Sequence, residues 1–524
     1  MRWVLTAHKR FSSDFILCNA NVITLDPVNP RAQLVAASYG RIDWVGEATA
    51  LPFLLGNNTT VVDCQGMTVI PGFIDAHCHL LGLASRLTGM DCGSNSIDSI
   101  DGLVEAIRRY AVDVPAGKWI RAYGYDEVKL RERRHPTRLE LDAATPDHLV
   151  RLQHRTGHAS VFNSRGLAAV NIGKDTPDPP DGVILRDDVT GEPTGILLEM
   201  QTYVRGHLAN QKDENERIQG IHSANDMMLS VGVTSIQDAG PNNDHERWVA
   251  LKKLKETRNF VPRITMMIGA DKIIPAMELG LRPGFGNDDL KIGHVKIMLT
   301  CTTGALQPTE LKLQEIIKMV HENGFDVAVH AVEQEAVDQA VLAISQAQRG
   351  YLRTGARHRI EHCSECPIEL AKKLYKYSIS VVTQPGFIYQ NGDKYLTEVV
   401  RNKLPLLYPL RTLSDHGVHV AAGSDAPVTY PNPILGIYAA TTRRTASGCV
   451  LSSHQTLSVE EALRMHTVEG AYVSADDGIK GSIKVGKLAD LVVLNMDPTK
   501  IDPEDIKEVA VVMTIVGGKV VWER

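Results

Sequence analysis

The chain has 524 residues, 43% of them hydrophobic and 23% charged, with a formal net charge of −6. That length allows a large core and more than one domain, and the composition is ordinary for a soluble globular protein. The acidic balance and the lack of a basic run argue against a nucleic-acid surface, and the longest apolar runs, such as "DLVVLNM", fall far short of the ~20 residues a membrane span needs.

The first stretch, "MRWVLTAHKRFSSDFIL", has early basic residues but no continuous apolar core and no small-residue cleavage site, so no secretory signal is expected. Up to about residue 70 the chain reads as short strands. "DFILCNANVITLD" and "GRIDWVGE" run or alternate apolar between Asn, Asp, Pro and Gly turns. The last 45 or so residues, "GSIKVGKLADLVVLN" and "EVAVVMTIVGGKVVWE", have the same texture. Residues 1–70 and 481–524 are therefore expected to build one small β-domain.

The middle of the chain has a rhythm. Short apolar runs end near Ile74, Ile236, Ile268, Leu299, His330, Glu361, Val382 and Gly423. Helix-length segments such as "PTELKLQEIIKMVHENG" and "PIELAKKLYKYS" lie between most of them, and four successive spacings are close to 30 residues. Eight strand–helix units predict an α/β fold, a (β/α)8 barrel over 71–89 and 226–480, with functional residues at the C-terminal ends of its strands. The gap from Ile74 to Ile236 is too long for one unit. Residues 90–225 are read as an α+β insertion after the first barrel strand, covering the barrel mouth. The eight cysteines are scattered and suggest free thiols in a reducing cytoplasm. The C-x-x-C of "HCSEC" has no second half.

The polar residues at these strand ends carry the chemistry. The first strand, "PGFIDAHCHL", ends in His77 and His79, which point the same way on an extended chain and can reach one ion. Cys78 between them points to the other side. Lys296 lies inside the apolar run "GHVKIML", where a bare charge costs several kcal/mol. It either snorkels outward, pairs with a carboxylate, or is carboxylated by CO2 into an anion able to bridge two cations. His330 ends "GFDVAVH", His362 ends "RHRIEH", and Asp425 follows "VHVAAGSD". Each histidine alone could be a satisfied core residue, but six such residues at predicted strand ends point to a metal centre. The set suits Zn2+, and also Mn2+, Fe2+ or Co2+. A metal-bound hydroxide beside an aspartate base implies metal-assisted hydrolysis.

"PGFIDAHCHL", Lys296, His330, "RIEH" at 359–362, "GSDAP" at 423–427 and the closing "GSIKVGKLADLVVL" together resemble the amidohydrolase superfamily over nearly the whole chain. The resemblance implies a distorted (β/α)8 TIM barrel with a β-sandwich from both termini. "YGYDE", "RTGHASVFNSRGL", "TPDPPDGVILRD", "GEPTGILLE" and "GVTSIQDAG" further resemble the YtcJ-like branch, which includes N-substituted formamide deformylase. Carried over, His77 and His79 look like ligands of a more buried metal and Lys296 like the bridging carboxylated lysine of a binuclear centre. His330 and His362 look like ligands of the second metal, and Asp425 like the metal-bound general base. Tyr125, Asp126, Arg155 and His158 look like substrate-pocket or lid residues, or structural hydrogen-bonders within the insertion. The chain departs from the branch after the strand lysine, where Thr300-Cys301 replaces an Asp-Gly pair, and after His330, where "HAVEQEA" lacks the usual Gly-Asp.

The expected reaction is hydrolysis of a C–N bond in an amide, formamide or N-acyl small molecule. The second departure keeps a rival open. His330-x-x-Glu333 resembles the deaminase branch, where the glutamate shuttles protons to a leaving amine and one metal suffices. Glu333 also fits a first-turn helix acid stabilised by the N-terminal dipole. A catalytically silent metal-binding protein is the third reading. A homodimer is the expected assembly by base rate, with no nucleic-acid or membrane partner.

Overall fold

Eight strands, nearly all of whose residues are buried, build the centre of the chain. In the computed structural model, which describes residues 12–93, 97–179, 182–208, 214–301 and 305–524, they are β1 (Phe73–Cys78), β2 (Val233–Asp238), β3 (Arg263–Gly269), β4 (Leu290–Met298), β5 (Val327–Ala331), β6 (Arg359–His362), β7 (Ser380–Thr383) and β8 (Val420–Ala422). They form one parallel sheet in sequence order. Continuous runs of Val, Ile and Ala are what a parallel sheet covered by helices requires. The covering helices are amphipathic. Gln334–Gly350 buries Ala336, Val337, Ala340, Val341, Ile344 and Ala347 at three- and four-residue spacing and leaves its polar face outside. The helix His245–Glu256 starts where the Asp244 side chain accepts the Arg247 amide.

β1 and the loop after β8 close the barrel through side-chain and backbone hydrogen bonds. The buried Asp75 carboxylate accepts the Ser424 amide at 2.9 Å, the Ser424 hydroxyl at 2.6 Å and the His77 amide at 3.2 Å. The Asp425 amide donates to the His77 carbonyl at 2.7 Å and the His79 amide to the Ala426 carbonyl at 2.8 Å. Gly423 makes this approach possible, since a Cβ there would lie 2.6 Å from the His77 nitrogen.

Both termini build the sandwich. One sheet joins Phe15–Cys18, Leu34–Ser38, Arg41–Gly46 and Thr60–Asp63. In the other, Leu491–Leu494 pairs antiparallel with Thr68–Pro71, so the C-terminal strands complete a sheet begun near the N-terminus. Phe15, Leu17, Val35 and Ile42 of the first sheet pack with Val22, Val69, Leu491 and Ile515 of the second. Arg263 at the start of β3 holds Asp490 bidentately, at 2.6 and 2.9 Å, with both side chains more than 90% buried. This pair ties the N-terminal end of the barrel, away from the expected site, to the sandwich.

Sandwich and barrel form one compact unit, and a second is built mainly from Leu80–Ala224. Its six-stranded sheet runs Val183–Arg186, Pro193–Leu198, Ala159–Phe162, Leu149–His154, Trp119–Tyr125, Met90–Asp91. The helix Ile100–Ala111 supplies Ile100, Leu103 and Ile107 to its core. Among the described residues no helix is long and apolar enough to cross a membrane.

Removing one partner of a buried ion pair strands the other charge, at a cost of about 3–5 kcal/mol. Asp490→Ala would leave Arg263 only its more exposed partner Asp289, at 2.6 Å, and is expected to lower the urea midpoint by the equivalent of about 3 kcal/mol. An unchanged midpoint in equilibrium unfolding would mean the Arg263–Asp490 tie contributes nothing net.

Candidate metal centre

The residues singled out in the barrel lie at or just beyond the C-terminal ends of β1, β5, β6 and β8, with Lys296 two positions from the end of β4. Ligand atoms of His77, His362 and Asp425 all lie within 4.8 Å of one another. Asp425 Oδ1 is 3.1 Å from His79 Nε2 and 3.4 Å from His77 Nε2. The His362 ring centroid is 4.9 Å from that of His77 and 4.5 Å from that of His330. His77 and His362, which the resemblance assigns to different metals, thus share one group with Asp425.

Two of these side chains are aimed by backbone that L-residues rarely adopt. His362 has φ +73° and Asp425 φ +55°. The turn at His362 breaks the two-residue alternation of β6. Glu361 and His362 would otherwise face opposite sides, yet both approach His77.

The imidazole tautomers follow from the hydrogen bonds. His77 Nδ1 is in close contact with the Glu361 carboxylate, leaving Nε2 toward Asp425. Glu361 is held from behind by Arg359, whose Nε lies 2.6 Å from Oε1. Arg359, itself fully buried, also donates to Gln237 and, at 3.0 Å, to the Ala76 carbonyl. His362 Nδ1 donates to Gln384 Oε1 at 2.9 Å, leaving its Nε2 for a ligand. Glu361, Arg359, Gln237 and Gln384 were not assigned roles from sequence. Glu361 and Arg359 stand in "RIEH", so the motif held the signal.

Burial dominates the electrostatics. It pushes His330 well below the ordinary imidazole range and His362 down to about 4, with neighbouring imidazoles and Lys296 adding to the effect. At His77 burial and Lys296 also push down, but Glu361 and Asp425 outweigh them and hold it above its usual value. Asp425 is disfavoured as a carboxylate by burial. Hydrogen bonds from His77 and His79 more than reverse this and keep it well below the ordinary range.

Lys296 is 1% exposed, and burial lowers its amine to about 8 against the pull of Glu361 and Asp425. Among the described residues no hydrogen bond or ion pair engages its Nζ. His77, His362 and Asp425, with His79 and His330 beside them and the buried amine of Lys296 nearby, fit divalent-metal binding.

Glu333 does not join the cluster. It is the half-buried N-cap of Gln334–Gly350 and makes no capping bond. Tyr125, Asp126 and Arg155 come together in the second unit. Arg155 Nε is 2.7 Å from Asp126 Oδ2, and the Tyr125 hydroxyl is 2.8 Å from His135 Nδ1. His158 pairs with Glu199 at 2.8 Å on a half-exposed surface. Cys78 is fully buried, and all eight cysteines are free.

The amidohydrolase family matches residues 60–522. N-substituted formamide deformylase of Arthrobacter pascens is 30% identical over 98% of this chain and 98% of its own length. YtcJ of Bacillus subtilis is 26% identical over 96% of this chain and 98% of its own. Among solved structures, a metal-dependent hydrolase of Pyrococcus horikoshii superposes with a TM-score of 0.77 at 24% identity, covering 93% of this chain and 99% of that one. The chain belongs to the amidohydrolase family, in its YtcJ-like branch, and is a metal-dependent amidohydrolase acting on carbon–nitrogen bonds.

Proposed function

We propose that this amidohydrolase cleaves an amide, formamide or N-acyl small molecule, with Asp425 as general base and carboxylated Lys296 as part of the metal centre. The convergence of His77, His362 and Asp425 at the barrel's C-terminal end carries the reading. The full-length similarity to a formamide deformylase supports the substrate class. Bound divalent metal, two Zn2+ in the first instance and Mn2+, Fe2+ or Co2+ as alternatives, supplies activated water and polarises the carbonyl.

The chain's own groups do the rest. The Asp425 carboxylate, 3.1 Å from His79 Nε2, accepts a proton from the attacking water and returns it to the leaving nitrogen. Glu361 fixes the His77 tautomer, so that Nε2 faces the centre. Burial lowers the Lys296 amine to about 8, which favours its neutral, nucleophilic form. The neutral amine adds to CO2, forming an N–C bond and losing one proton to solvent, and becomes an anionic carbamate. Gln384 Nε2 and Thr383 Oγ1 are buried without hydrogen-bond partners at the end of β7, and we assign them as donors to substrate or ordered water. Eight free thiols suit a reducing cytoplasm, and a two-fold dimer is the expected assembly.

Asp425→Asn is expected to keep most of the metal and lose about 10²–10⁴-fold in kcat on a responsive amide or formamide. Turnover close to wild type would sink the base assignment. Lys296→Ala should lower the metal content of protein purified with bicarbonate from two equivalents, as measured by elemental analysis. A single ion per chain, with Lys296→Ala harmless and Glu333→Ala inactive, would instead establish the deaminase reading. Glu361→Gln should weaken metal affinity about 10–100-fold, measured by competition with a chelating dye. Unchanged affinity would show that Glu361 serves packing alone.

A further inference from the structure

In the second unit, Leu149–His154 runs parallel to Trp119–Tyr125, in register so that His154 lies beside Tyr125. Both strands finish at the same edge, and the C-terminal ends of parallel strands are where α/β sheets collect ligands. The chain beyond Tyr125 places Asp126 and Glu127 at that edge. Asp126, Glu127 and His154 each offer an atom within 4.8 Å of the other two. The Asp126 and His154 side chains are 6% and 7% exposed, and that of Glu127 is 24% exposed.

A second observation concerns how these atoms are aimed. His154 Nδ1 is taken by the Thr156 hydroxyl at 2.8 Å, so Nε2 is the nitrogen turned toward the carboxylates. It lies 2.7 Å from Glu127 Oε2 and 3.9 Å from Asp126 Oδ1. Yet Nε2 and Oε2 are both buried and neither has a hydrogen-bond partner. An imidazole nitrogen and a carboxylate oxygen placed side by side share a third point. Arg155, on the other oxygen of Asp126 at 2.7 Å, and Thr156, on the other nitrogen of His154, brace two of the three donors from outside.

We propose that Asp126, Glu127 and His154 form a divalent-cation site in the second unit, made of none of the barrel residues. One imidazole and two carboxylates form a donor set for Zn2+ or Co2+, with an open position for water. The bound ion would clasp the ends of two adjacent strands. The competing occupant is a proton on His154, which would make the cluster an ion pair.

The test uses the full-length chain carrying His77→Ala and His79→Ala, stripped by chelator and dialysed against Zn2+ or Co2+. About one equivalent is expected to remain bound, and Glu127→Gln added to that background should weaken it at least tenfold. His154→Ala should abolish it. Glu127→Gln removes a charge without changing shape, so its far-UV spectrum should match its parent's, and its dialysis result decides the matter if His154→Ala fails to fold. No retained metal in the double variant, or retained metal unmoved by Glu127→Gln, overturns the site and leaves a proton-held ion pair. Failure of the barrel reading looks different: His77→Ala and His79→Ala would then leave the wild-type metal content intact.

Discussion

The meeting of the first and eighth barrel strands is the constraint on which the centre depends. Asp75 accepts two hydrogen bonds from Ser424 and one from the His77 amide, and Gly423 lies against His77 where no side chain would fit. One buried carboxylate therefore sets the distance between β1, with His77 and His79, and the loop that carries Asp425. Burial alone disfavours that charge and raises the Asp75 carboxyl above its usual range. Three donors at the seam offset part of this desolvation.

Charge is arranged in layers around that seam. Arg359 neutralises Glu361, Glu361 polarises His77, and His77 with His79 holds Asp425 ionised. The chain runs from a buried cation to the carboxylate assigned as base, and every member has a partner on each side. Lys296 stands outside this relay with no acceptor on its amine. A carbamate there would turn a buried cation into an anion, which is the sign two divalent ions require.

The barrel was legible because a parallel sheet leaves continuous apolar runs, and polar residues at their ends stand out against that background. His77, His362 and Asp425 could be named for this reason. A β-domain shared by the two termini was legible from their matching texture, and its sandwich form followed from the family resemblance. Glu361 was not, because strand alternation assigns it to the face opposite His362, and only the left-handed turn at His362 brings both to His77. Gln384 and Gln237 carry no signal of their own type and acquire meaning only from the histidine and arginine they meet. In the second unit the sequence pointed to Tyr125, Asp126 and Arg155 but passed over Glu127 and His154, whose convergence depends on the register of two parallel strands.

The partners at the seam are 349 residues apart in the chain. Loop-closure entropy makes such pairings late and slow to form, and a nascent chain cannot make this one until Ser424 has left the ribosome. Five of the six barrel residues precede Asp425 in synthesis, so a partly made chain holds most of the donors without the geometry that joins them. The centre is thus a product of completed folding, and a chain truncated before β8 would carry its histidines as an unassembled set.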